Sequence, residues 1–238
     1  MIKTALIGHP LGHSLSGAIH TAGYKSVGLD GKYDVIDVPP EKLKETIERL
    51  KKEGYSGFNV TIPYKVDVKK QLSLWDMLVD YAGCTNCVRI KPNGEMYGYN
   101  TDIYGFTEAI PEEMRAKLEG KKALVLGNGG AARAVAVALV MMRVANIDFR
   151  VRSLEKSAEL KGLMDTKFKK TTCQIVQTLT DVSEYSIIVN TTPLGTIGEN
   201  KDKMPIATSL LEKANKSAII YDLVYNPTET LYLKTAKD

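Results

Sequence analysis

The sequence predicts an α/β fold made of two consecutive domains. Its 238 residues are enough for one to two domains, since a typical domain holds about 150. Short apolar runs alternate with amphipathic stretches along the chain, which is the pattern of strands joined by helices. In the second half, a glycine-rich turn stands directly between a strand-like run and a helical run, as it does in doubly wound α/β sheets.

Composition and charge are those of an ordinary folded protein. Charged residues make up 25% and hydrophobic residues 44% of the chain, which excludes extensive disorder. The 32 Lys and Arg against 28 Asp and Glu leave a formal net charge of +4, too small and too dispersed for a nucleic-acid footprint. No apolar run approaches the roughly 18 to 20 residues of a membrane span. The three cysteines lack the spacing of a secreted disulfide framework. We therefore expect a cytoplasmic monomer or homodimer with a small-molecule partner, and neither nucleic acid nor a membrane.

In the first half, the predicted order is strand, helix, strand, helix, strand. The strands are expected at 4–7, 33–38 and 58–60, and the helices from Ser16 and over 41–52. In the second helix, Leu43, Ile47 and Leu50 recur at i, i+4 and i+7. This spacing gives the helix one apolar face toward a core.

A helix is predicted from Asp102 towards Leu118, and we place the domain boundary within it. The first domain then covers residues 1–103 and the second covers 104–238. In the second domain, strands are expected at 123–126, 147–151, 187–190 and 218–223, and helices over 130–142 and after Ser153. Because crossovers between parallel strands are right-handed, we expect largely parallel sheets in both domains.

The glycine-rich turn satisfies the pattern G-x-G-x-x-A with a strand before it and a helix after it. It reads Gly127-Asn128-Gly129-Gly130-Ala131-Ala132. The first glycine allows the tight turn, the second lets a pyrophosphate approach the main chain, and the alanine lets helix and strand pack closely. The free amides and the helix dipole face the anion. The pattern predicts a Rossmann-type dinucleotide-binding domain in which residues 127–131 contact the cofactor. A merely tight structural turn is the alternative.

The residues after the next predicted strand favour NADP over NAD. NAD enzymes usually carry an acidic residue at that strand end, roughly 20 residues beyond the turn. Here Arg152 and Ser153 stand there, with Lys156 beside them, and an arginine suits a ribose 2′-phosphate. Asp148 is a competing acidic clue, but it lies inside the strand. Surface arginines without a ligand are the alternative.

Two polar motifs end predicted strands in the first half. Thr61 and Lys65 lie around Pro63, which stops a strand, and ligands of open α/β sheets bind at such carboxyl ends. Thr101 and Asp102 lie between a strand and a helix, where either could be a helix N-cap. Considered alone, a lysine is solvated far more often than it is catalytic.

Taken together, the motifs resemble the shikimate dehydrogenase family. The resemblance rests on Gly8-His9-Pro10, His13-Ser14-Leu15-Ser16, Asn59-Val60-Thr61-Ile62-Pro63-Tyr64-Lys65, Asn100-Thr101-Asp102, the glycine turn, Asn190-Thr191-Thr192-Pro193-Leu194-Gly195 and Asp222-Leu223-Val224-Tyr225-Asn226-Pro227. It implies an N-terminal substrate-binding and catalytic domain and a C-terminal NADP-binding domain. It further implies a reversible, NADP-dependent reduction of 3-dehydroshikimate to shikimate in aromatic amino-acid biosynthesis.

The resemblance also assigns roles to individual residues. It implies that Ser14 and Ser16 bind the substrate carboxylate, that Thr61, Asn86 and Asp102 bind ring hydroxyls, that Lys65 is the catalytic lysine with Asp102 beside it, and that Tyr225 lies near the carboxylate. Arg152 falls on the arginine of the family's Asn-Arg-Thr motif, and Thr192 and Leu223 fall among the cofactor contacts.

The chemistry of hydride transfer agrees with a lysine in this role. The ketone oxygen gains charge as the hydride arrives and needs a proton donor nearby. In the reverse direction, Lys65 would act as a base, which requires a pKa below the usual value of about 10.4. A nearby Asp102 carboxylate would oppose that shift. We therefore expect Asp102 chiefly to orient the lysine and the substrate hydroxyls.

The sequence departs from the family's pattern at several positions. Gly17 replaces a proline at a helix start, and Val151 replaces the asparagine of Asn-Arg-Thr. Cys84 and Cys87 form a C-x-x-C, which we interpret as small buried thiols. The spacings of His9, His13 and His20 straddle a Pro-Gly turn and no triad of carboxylates accompanies them, so no metal site is expected. The family continues past the Tyr225 region with helices that return to the N-terminal domain, and we expect this chain to lack them.

Two further functions stay open at this point. One is a quinate, shikimate or aminoshikimate dehydrogenase that uses NAD, which would need an acidic residue better placed than Asp148. The other is a cofactor-binding homologue without catalysis. The presence of both Lys65 and Asp102 argues against the second alternative, whereas the expected lack of the returning helices argues for it.

Overall fold

The structure, a computed structural model, describes residues 1–12 and 14–237. His13, Asp238 and the side chain of Lys156 lie outside the described part. The chain divides into two compact units, Met1–Thr101 (unit 1) and Asp102–Asp238 (unit 2). This division falls two residues before the boundary expected after residue 103.

Unit 1 is a six-stranded sheet with helices on its connections. Its strands are β1 (Ile2–Gly8), β2 (Gly31–Asp37), β3 (Gly57–Val60), β4 (Leu74–Trp75), β5 (Cys87–Ile90) and β6 (Met96–Tyr99), and its helices are α1 (Ser16–Ser26), α2 (Leu43–Lys52), α3 (Lys65–Lys69) and α4 (Met77–Ala82), with a 3-10 turn at Pro40–Lys42. The strand order is β2-β1-β3-β5-β6-β4. The strands and helices expected in this half are confirmed.

The sheet of unit 1 is mixed. β1 runs parallel to β2 and to β3, and β4 runs parallel to β6, whereas β5 runs antiparallel to β3 and β6. Because β5 is reversed, its first residue lies beside the last residues of β3 and β6. The loops after β1, β3 and β6 and the loop before β5 therefore meet at one edge of the sheet.

The core of unit 1 lies between this sheet and α2. Leu43, Ile47 and Leu50 are buried there together with Ala5, Phe58 and other apolar strand residues. The apolar face predicted from their spacing is confirmed.

Unit 2 is a five-stranded parallel sheet. Its strands are β7 (Lys122–Leu126), β8 (Asn146–Arg150), β9 (Thr172–Val176), β10 (Ile187–Asn190) and β11 (Ile219–Asp222), and its helices are α5 (Asp102–Ala109), α6 (Glu112–Ala116), α7 (Gly130–Met141), α8 (Ala158–Lys167), α9 (Thr208–Leu211) and α10 (Leu231–Lys237), with a 3-10 turn at Glu155–Ser157. The order β9-β8-β7-β10-β11 is that of a mononucleotide-binding half of the Rossmann fold, extended to five strands. Its topological switch point lies between β7 and β10, where ligands of such sheets bind.

The helix predicted from Asp102 towards Leu118 is wrong as a single element. The structure has two helices there, α5 and α6, and Pro111 stands between them as the N-cap residue of α6. Proline lacks an amide hydrogen and its ring clashes with the preceding turn, so the first helix ends before it. α5 packs against α7, and the ring of Phe106 meets that of Tyr221 edge-on at 4.9 Å.

α7 is apolar around most of its circumference, because one side of the helix packs against the sheet and another side packs against α5. Eight of its residues are buried, namely Ala132, Arg133, Ala134, Val135, Ala136, Val137, Ala138 and Leu139. Small side chains allow the helix to lie close to the parallel strands. Among the described residues, no helix combines the length and apolarity needed to cross a lipid bilayer.

Asp148, the acidic residue that competed with the arginines at the strand end, belongs to the core. It lies in the middle of β8 and is 4% exposed. Its Oδ2 accepts a hydrogen bond from the Tyr185 hydroxyl at 2.7 Å and lies 3.0 Å from Lys122 Nζ. Burial and this carboxylate raise the pKa of Tyr185 well above its ordinary value. Asp148 therefore anchors a buried polar cluster.

The Asp148→Ala variant should lose about 2 to 3 kcal/mol of unfolding free energy, because it leaves the Tyr185 hydroxyl and the Lys122 ammonium without their buried acceptor. Chemical denaturation of both proteins measures this difference. Glu184→Gln is the control, since Glu184 pairs with the same lysine at 2.6 Å but is exposed. It should change stability by less than about 0.5 kcal/mol. Equal losses in the two variants would contradict the assignment.

Candidate active site

The polar edge of unit 1 is held together by backbone hydrogen bonds between the two loops that follow β1 and β3. The Thr61 amide donates to the Ile7 carbonyl at 3.0 Å, and the His9 amide donates to the Ile62 carbonyl at 2.9 Å. A Cβ on Gly8 would lie 2.4 Å from Thr61 Cγ2, so only glycine permits this approach. Thr61 is thereby fixed beside the end of β1.

Lys65 begins α3 and is anchored through its backbone. Its carbonyl accepts a hydrogen bond from the Thr85 amide at 2.9 Å. On its other side, the Tyr64 amide donates to the Thr61 carbonyl at 2.9 Å, and the Tyr64 ring is buried. The Lys65 side chain is partly exposed. The main chain at Lys65 is thus held on both sides.

Asn86 ties the loop before β5 to the loop after β6. Its Nδ2 donates to Thr101 Oγ1 at 2.9 Å, and its Oδ1 accepts from the Thr101 amide at 2.9 Å. Asn100, which directly precedes Thr101, is buried, and its side chain donates to the Cys84 carbonyl at 3.1 Å. These contacts fix the chain up to Thr101, directly before Asp102. Asp102 opens α5 and unit 2, whereas the other predicted substrate residues, apart from Tyr225, belong to unit 1.

Ser14 and Ser16 lie at the start of α1, at the same edge of unit 1. The Ser16 amide donates to Ser14 Oγ at 3.3 Å. Gly17, where the family has proline, packs against β2, since a Cβ there would lie 3.2 Å from Val35 Cγ2. The glycine therefore brings the start of α1 close to the sheet.

In unit 2, the predicted glycine turn lies at the carboxyl end of β7. Gly127 has a φ of +123°, in the region that favours glycine. A Cβ there would lie 2.6 Å from Thr191 Oγ1, and that hydroxyl donates to the Leu126 carbonyl at 2.7 Å. Gly129 precedes α7, and a Cβ on it would meet nothing within 4 Å. The first glycine of the turn therefore lies in close contact with the residue that follows β10, whereas a side chain on the second glycine would meet open space.

The turn is linked to the basic segment after β8. Asn128 Nδ2 donates to Ser157 Oγ at 2.8 Å, and Ser157 Oγ donates to the Ser153 carbonyl at 2.8 Å. Ser157 is fully buried, and Arg152 is exposed. Arg133 of α7, also buried, reaches Glu159 of α8 at 3.3 Å. Two polar links thus hold the segment that carries Arg152 and Ser153 against the start of α7.

The ends of β10 and β11 are joined by Asn190 and Asp222. Asn190 Nδ2 donates to Asp222 Oδ1 at 2.9 Å, and Asn190 Oδ1 accepts from the Thr192 hydroxyl at 2.7 Å. Asp222 also accepts from the Thr230 hydroxyl at 2.6 Å and from the Val224 amide at 3.0 Å. Burial raises the pKa of this carboxyl, against the hydrogen bonds that lower it.

This pair therefore shapes both loops that carry predicted contacts. Thr192 and Leu223 are partly exposed at this edge, and Tyr225 is 58% exposed.

The residues of unit 2 fit a dinucleotide with a phosphate on its ribose. The turn presents backbone amides and open space at Gly129, and α7 begins directly after it, so a pyrophosphate finds donors and a helix N-terminus. The segment after β8 presents Arg152, while the carboxylate of β8, Asp148, is buried in a cluster with Tyr185. Lys156, the remaining predicted contact, has its side chain outside the described residues.

Several residues that build these sites were not singled out from the sequence. Asn190 and Asp222 were seen only as parts of motifs, and Tyr33, Asn59 and Ser157 carried no assigned role. Their signal in the sequence is weak, because the sequence does not distinguish a polar residue at a strand end that faces solvent from one that bonds to a second loop. In the part of the chain that the structure describes, no group of three or more His, Cys, Asp or Glu side chains could hold a metal ion. His9 pairs with Asp37 at 2.8 Å.

The two polar sheet edges, one of them on a doubly wound sheet with a glycine turn, define a two-domain dinucleotide-dependent α/β enzyme. Comparisons with known proteins agree. The family model for the shikimate dehydrogenase substrate binding domain matches residues 6–88. A shikimate dehydrogenase (NADP(+)) of Caldanaerobacter subterraneus subsp. tengcongensis is 38% identical over 98% of this chain and 81% of the relative. The chain belongs to the shikimate dehydrogenase family.

Solved structures agree with this assignment. A crystal structure of a shikimate dehydrogenase in complex with NADP+ has a TM-score of 0.85 and 36% identity, over 100% of this chain and 81% of that one. A 5-ketofructose reductase of Gluconobacter sp. strain CHM43 has a TM-score of 0.81 and 30% identity, over 99% of this chain and 83% of that one. The resemblance, the fold class and the assignment to the NADP-dependent oxidoreductases of this family are confirmed.

The two glycines of the turn should respond differently to a methyl group. Gly127→Ala places a side chain against Thr191 in a left-handed conformation, so we expect it to lose about 1 to 3 kcal/mol of stability and to weaken NADP binding. Gly129→Ala meets no protein atom, so stability should stay the same, while NADP affinity falls at least about tenfold because the methyl group occupies the path of the pyrophosphate.

Thermal unfolding and calorimetric titration with NADP measure the two effects separately. Normal NADP affinity in Gly129→Ala would show that the turn is only structural.

Proposed function

We propose that this protein catalyses the reversible, NADP-dependent reduction of 3-dehydroshikimate to shikimate. One observation carries the proposal. Lys65 is held through its backbone at the same sheet edge as the hydroxyl and amide groups of Ser14, Ser16, Thr61 and Asn86. These groups match a substrate that has one carboxylate, several ring hydroxyls and a ketone that must gain a proton.

The substrate carboxylate is assigned to the two serines at the start of α1. Ser14 and Ser16 each offer a hydroxyl donor, and the hydrogen bond from the Ser16 amide to Ser14 Oγ keeps both at the same turn. Tyr225, exposed after β11, is the proposed third contact to the carboxylate. The ring hydroxyls are assigned to Thr61, Asn86 and Asp102, which supply both donors and acceptors.

Lys65 is the proposed proton donor to the ketone oxygen. In the reductive direction, this oxygen becomes an alkoxide, and the Lys65 ammonium both stabilises the charge and gives up a proton from Nζ. In the oxidative direction, the neutral amine takes the proton from the hydroxyl of shikimate. Asp102 is assigned to orient Lys65 and a neighbouring hydroxyl, because a carboxylate accepts hydrogen bonds from both.

NADPH, when bound, supplies the hydride. Gly127, Gly129, Gly130 and Ala131 are assigned to the pyrophosphate through their backbone, and Asn128 is assigned both to the cofactor and to its bond with Ser157. Arg152, Ser153 and Lys156 are assigned to the 2′-phosphate. Thr192 and Leu223, after β10 and β11, are assigned to the remaining length of the cofactor.

The protein is further proposed to act in the cytoplasm, as a monomer or a homodimer. Its three cysteines, all among the described residues, form no disulfide, and Cys84 and Cys173 are buried, which suits a reducing compartment.

The decisive measurement is the initial rate of NADPH formation from shikimate and NADP+, beside NAD+, quinate and 5-ketofructose as the alternative cofactor and substrates. We expect turnover with shikimate and NADP+. Lys65→Ala should lower kcat by at least about 100-fold, because the proton donor is lost, while NADP affinity stays the same. Lys70→Ala, an exposed lysine that pairs with Asp67, is the control and should keep the normal rate.

Nucleotide binding without turnover of any substrate would contradict catalysis and favour a cofactor-binding protein. Near-normal kcat in Lys65→Ala would remove the lysine from the mechanism.

Arg152→Ala should raise the KM for NADP about tenfold or more, since it removes a charge-assisted contact to the 2′-phosphate, and should leave the KM for NAD almost unchanged. Lys161→Ala, an exposed lysine of α8 paired with Asp165, is the matched control for loss of positive charge. Steady-state kinetics with both cofactors measure the ratio. An equal loss for NADP and NAD would show that Arg152 does not read the phosphate.

A further inference from the structure

Ser157 is a buried serine in the segment between β8 and α8. It is fully buried, although Leu154 and Glu155 close to it are exposed. The Ser157 hydroxyl makes two hydrogen bonds of 2.8 Å: it accepts one from Asn128 Nδ2 and donates the other to the Ser153 carbonyl. Burying a hydroxyl is costly unless such bonds are made. The assigned substrate and cofactor contacts leave Ser157 without a role, so these two bonds are the feature to explain.

The direction of the two bonds follows from the number of protons available. The backbone carbonyl of Ser153 can only accept, so the single proton of the Ser157 hydroxyl is directed to it. The hydroxyl then offers only lone pairs to Asn128, which must present its amide nitrogen rather than its amide oxygen. A rotation of either side chain would leave the buried hydroxyl with an unmade bond. The link therefore has one satisfied arrangement.

The two ends of this link lie in different parts of the proposed cofactor site. Asn128 belongs to the glycine turn, which directly precedes α7 and is assigned to the pyrophosphate. Ser153 follows Arg152, and both residues are assigned to the ribose 2′-phosphate. The hydroxyl of Ser157 thus joins the element proposed for one anionic group of the cofactor to the element proposed for another.

The backbone around Arg152 is held at three points. The Arg150 carbonyl accepts a hydrogen bond from the Gly127 amide at 3.0 Å, before the segment begins. The Arg152 carbonyl accepts a longer bond, 3.4 Å, from the exposed side chain of Gln177. The third point is the buried bond from Ser157 to the residue after Arg152. Because that bond is short and shielded from water, it limits how far the segment can move away from the turn.

The chemistry of the cofactor explains why turn and segment need a fixed separation. In NADP, the 2′-phosphate and the inner phosphate of the pyrophosphate are attached to the same ribose. The five-membered ring allows little variation in the distance between these two groups. A protein that binds both of them gains affinity if its two anion sites have the correct spacing before the ligand arrives. NAD has no 2′-phosphate, so the spacing brings it no gain.

We propose that Ser157 is a positioning residue that favours NADP over NAD, because it holds the segment of Arg152 and Ser153 at a fixed distance from the glycine turn. Ser157 acts through its bonds to Asn128 and Ser153 and does not itself contact the cofactor. This inference rests on the cofactor contacts of the proposed function and deepens them. The preference for NADP then depends on the spacing of two anion sites as well as on the charge of Arg152.

Ser157→Ala tests the proposal, since it removes the hydroxyl alone. Calorimetric titration with adenosine 2′,5′-bisphosphate, which carries both phosphates on one ribose, measures the two anion sites together. Titration with ADP measures the pyrophosphate site without the 2′-phosphate. We expect the affinity for the bisphosphate to fall about fivefold to tenfold, the effect of one to two lost hydrogen bonds, and the affinity for ADP to change less than about twofold.

Thr171→Val is the matched control. Thr171 is buried directly before β9, and its hydroxyl donates to the Val144 carbonyl at 3.0 Å. The control variant also loses a buried hydroxyl bonded to a carbonyl, but at the opposite edge of the sheet, where the parallel strands β8 and β9 begin. Thermal unfolding should show a loss of stability in both variants. The ratio of bisphosphate affinity to ADP affinity should fall only in Ser157→Ala.

Two further variants show how Ser157 acts. The double variant Ser157→Ala/Arg152→Ala should bind the bisphosphate nearly as well as Arg152→Ala, because Ser157 acts through the segment that carries Arg152. Asn128→Ala breaks the same link from the side of the turn, so it should lower the affinity ratio by a similar factor. The ratio is the relevant quantity there, since Asn128 is also assigned to the cofactor. Asn128→Ala keeps the test decisive if Ser157→Ala does not fold.

Several outcomes would overturn the proposal. These are an unchanged affinity for the bisphosphate in Ser157→Ala, an equal loss with ADP, fully additive losses in the double variant, or an unchanged affinity ratio in Asn128→Ala.

These titrations use no substrate, which keeps the test distinct from that of the proposed reaction. If the wild-type protein prefers the bisphosphate to ADP but does not oxidise shikimate, the reaction falls and the variants still decide the role of Ser157. If the wild-type protein oxidises shikimate with NADP and Ser157→Ala keeps the normal affinity ratio, only the role of Ser157 falls. If the wild-type protein does not prefer the bisphosphate, the assignment of Arg152 and the role of Ser157 fall together.

Discussion

The structure depends on the hydrogen-bonded register of its two sheets. In unit 2, every strand is parallel, so the loops after β7, β8, β10 and β11 emerge at one edge although they are far apart in the sequence. In unit 1, the reversal of β5 brings the loop before that strand to the edge where β1, β3 and β6 end. A shift of one residue in either sheet would turn each side chain to the opposite face and separate these loops.

Amide side chains set the shape of the loops at both edges. Asn86 donates to the hydroxyl of Thr101 and accepts from its amide. Asn190 likewise donates to Asp222 and accepts from the hydroxyl of Thr192. A carboxylate could only accept, and a hydroxyl has a single proton, so asparagine suits a position where two loops must both be satisfied. Because these residues are buried, the cost of an unmade bond enforces one arrangement.

The distribution of charge along β8 connects folding with cofactor choice. Asp148 is turned into the core, where Tyr185 and Lys122 compensate its burial. The strand ends two residues later at Arg150, and Arg152 follows in the loop, where it is exposed. The strand thus carries a carboxylate that stabilises the fold, and the loop after it carries a cation suited to a phosphate, because the middle of the strand is buried and the loop is exposed.

The sequence by itself determined the alternation of strands and helices, the glycine turn and the order of the motifs, because these depend on local periodicity, backbone freedom and residue type. Prediction from the sequence failed where contacts in the tertiary structure determine the secondary structure. The helix expected across Pro111 is two helices, and the edge strand β9 was not predicted because its half-exposed residues give a weak apolar signal. Only the tertiary structure decided that Asp148 is buried, that Asn190 meets Asp222, and that Tyr33 of β2 bonds to Asn59 of β3. Each of these depends on contacts between residues distant in the chain, which local sequence patterns do not record.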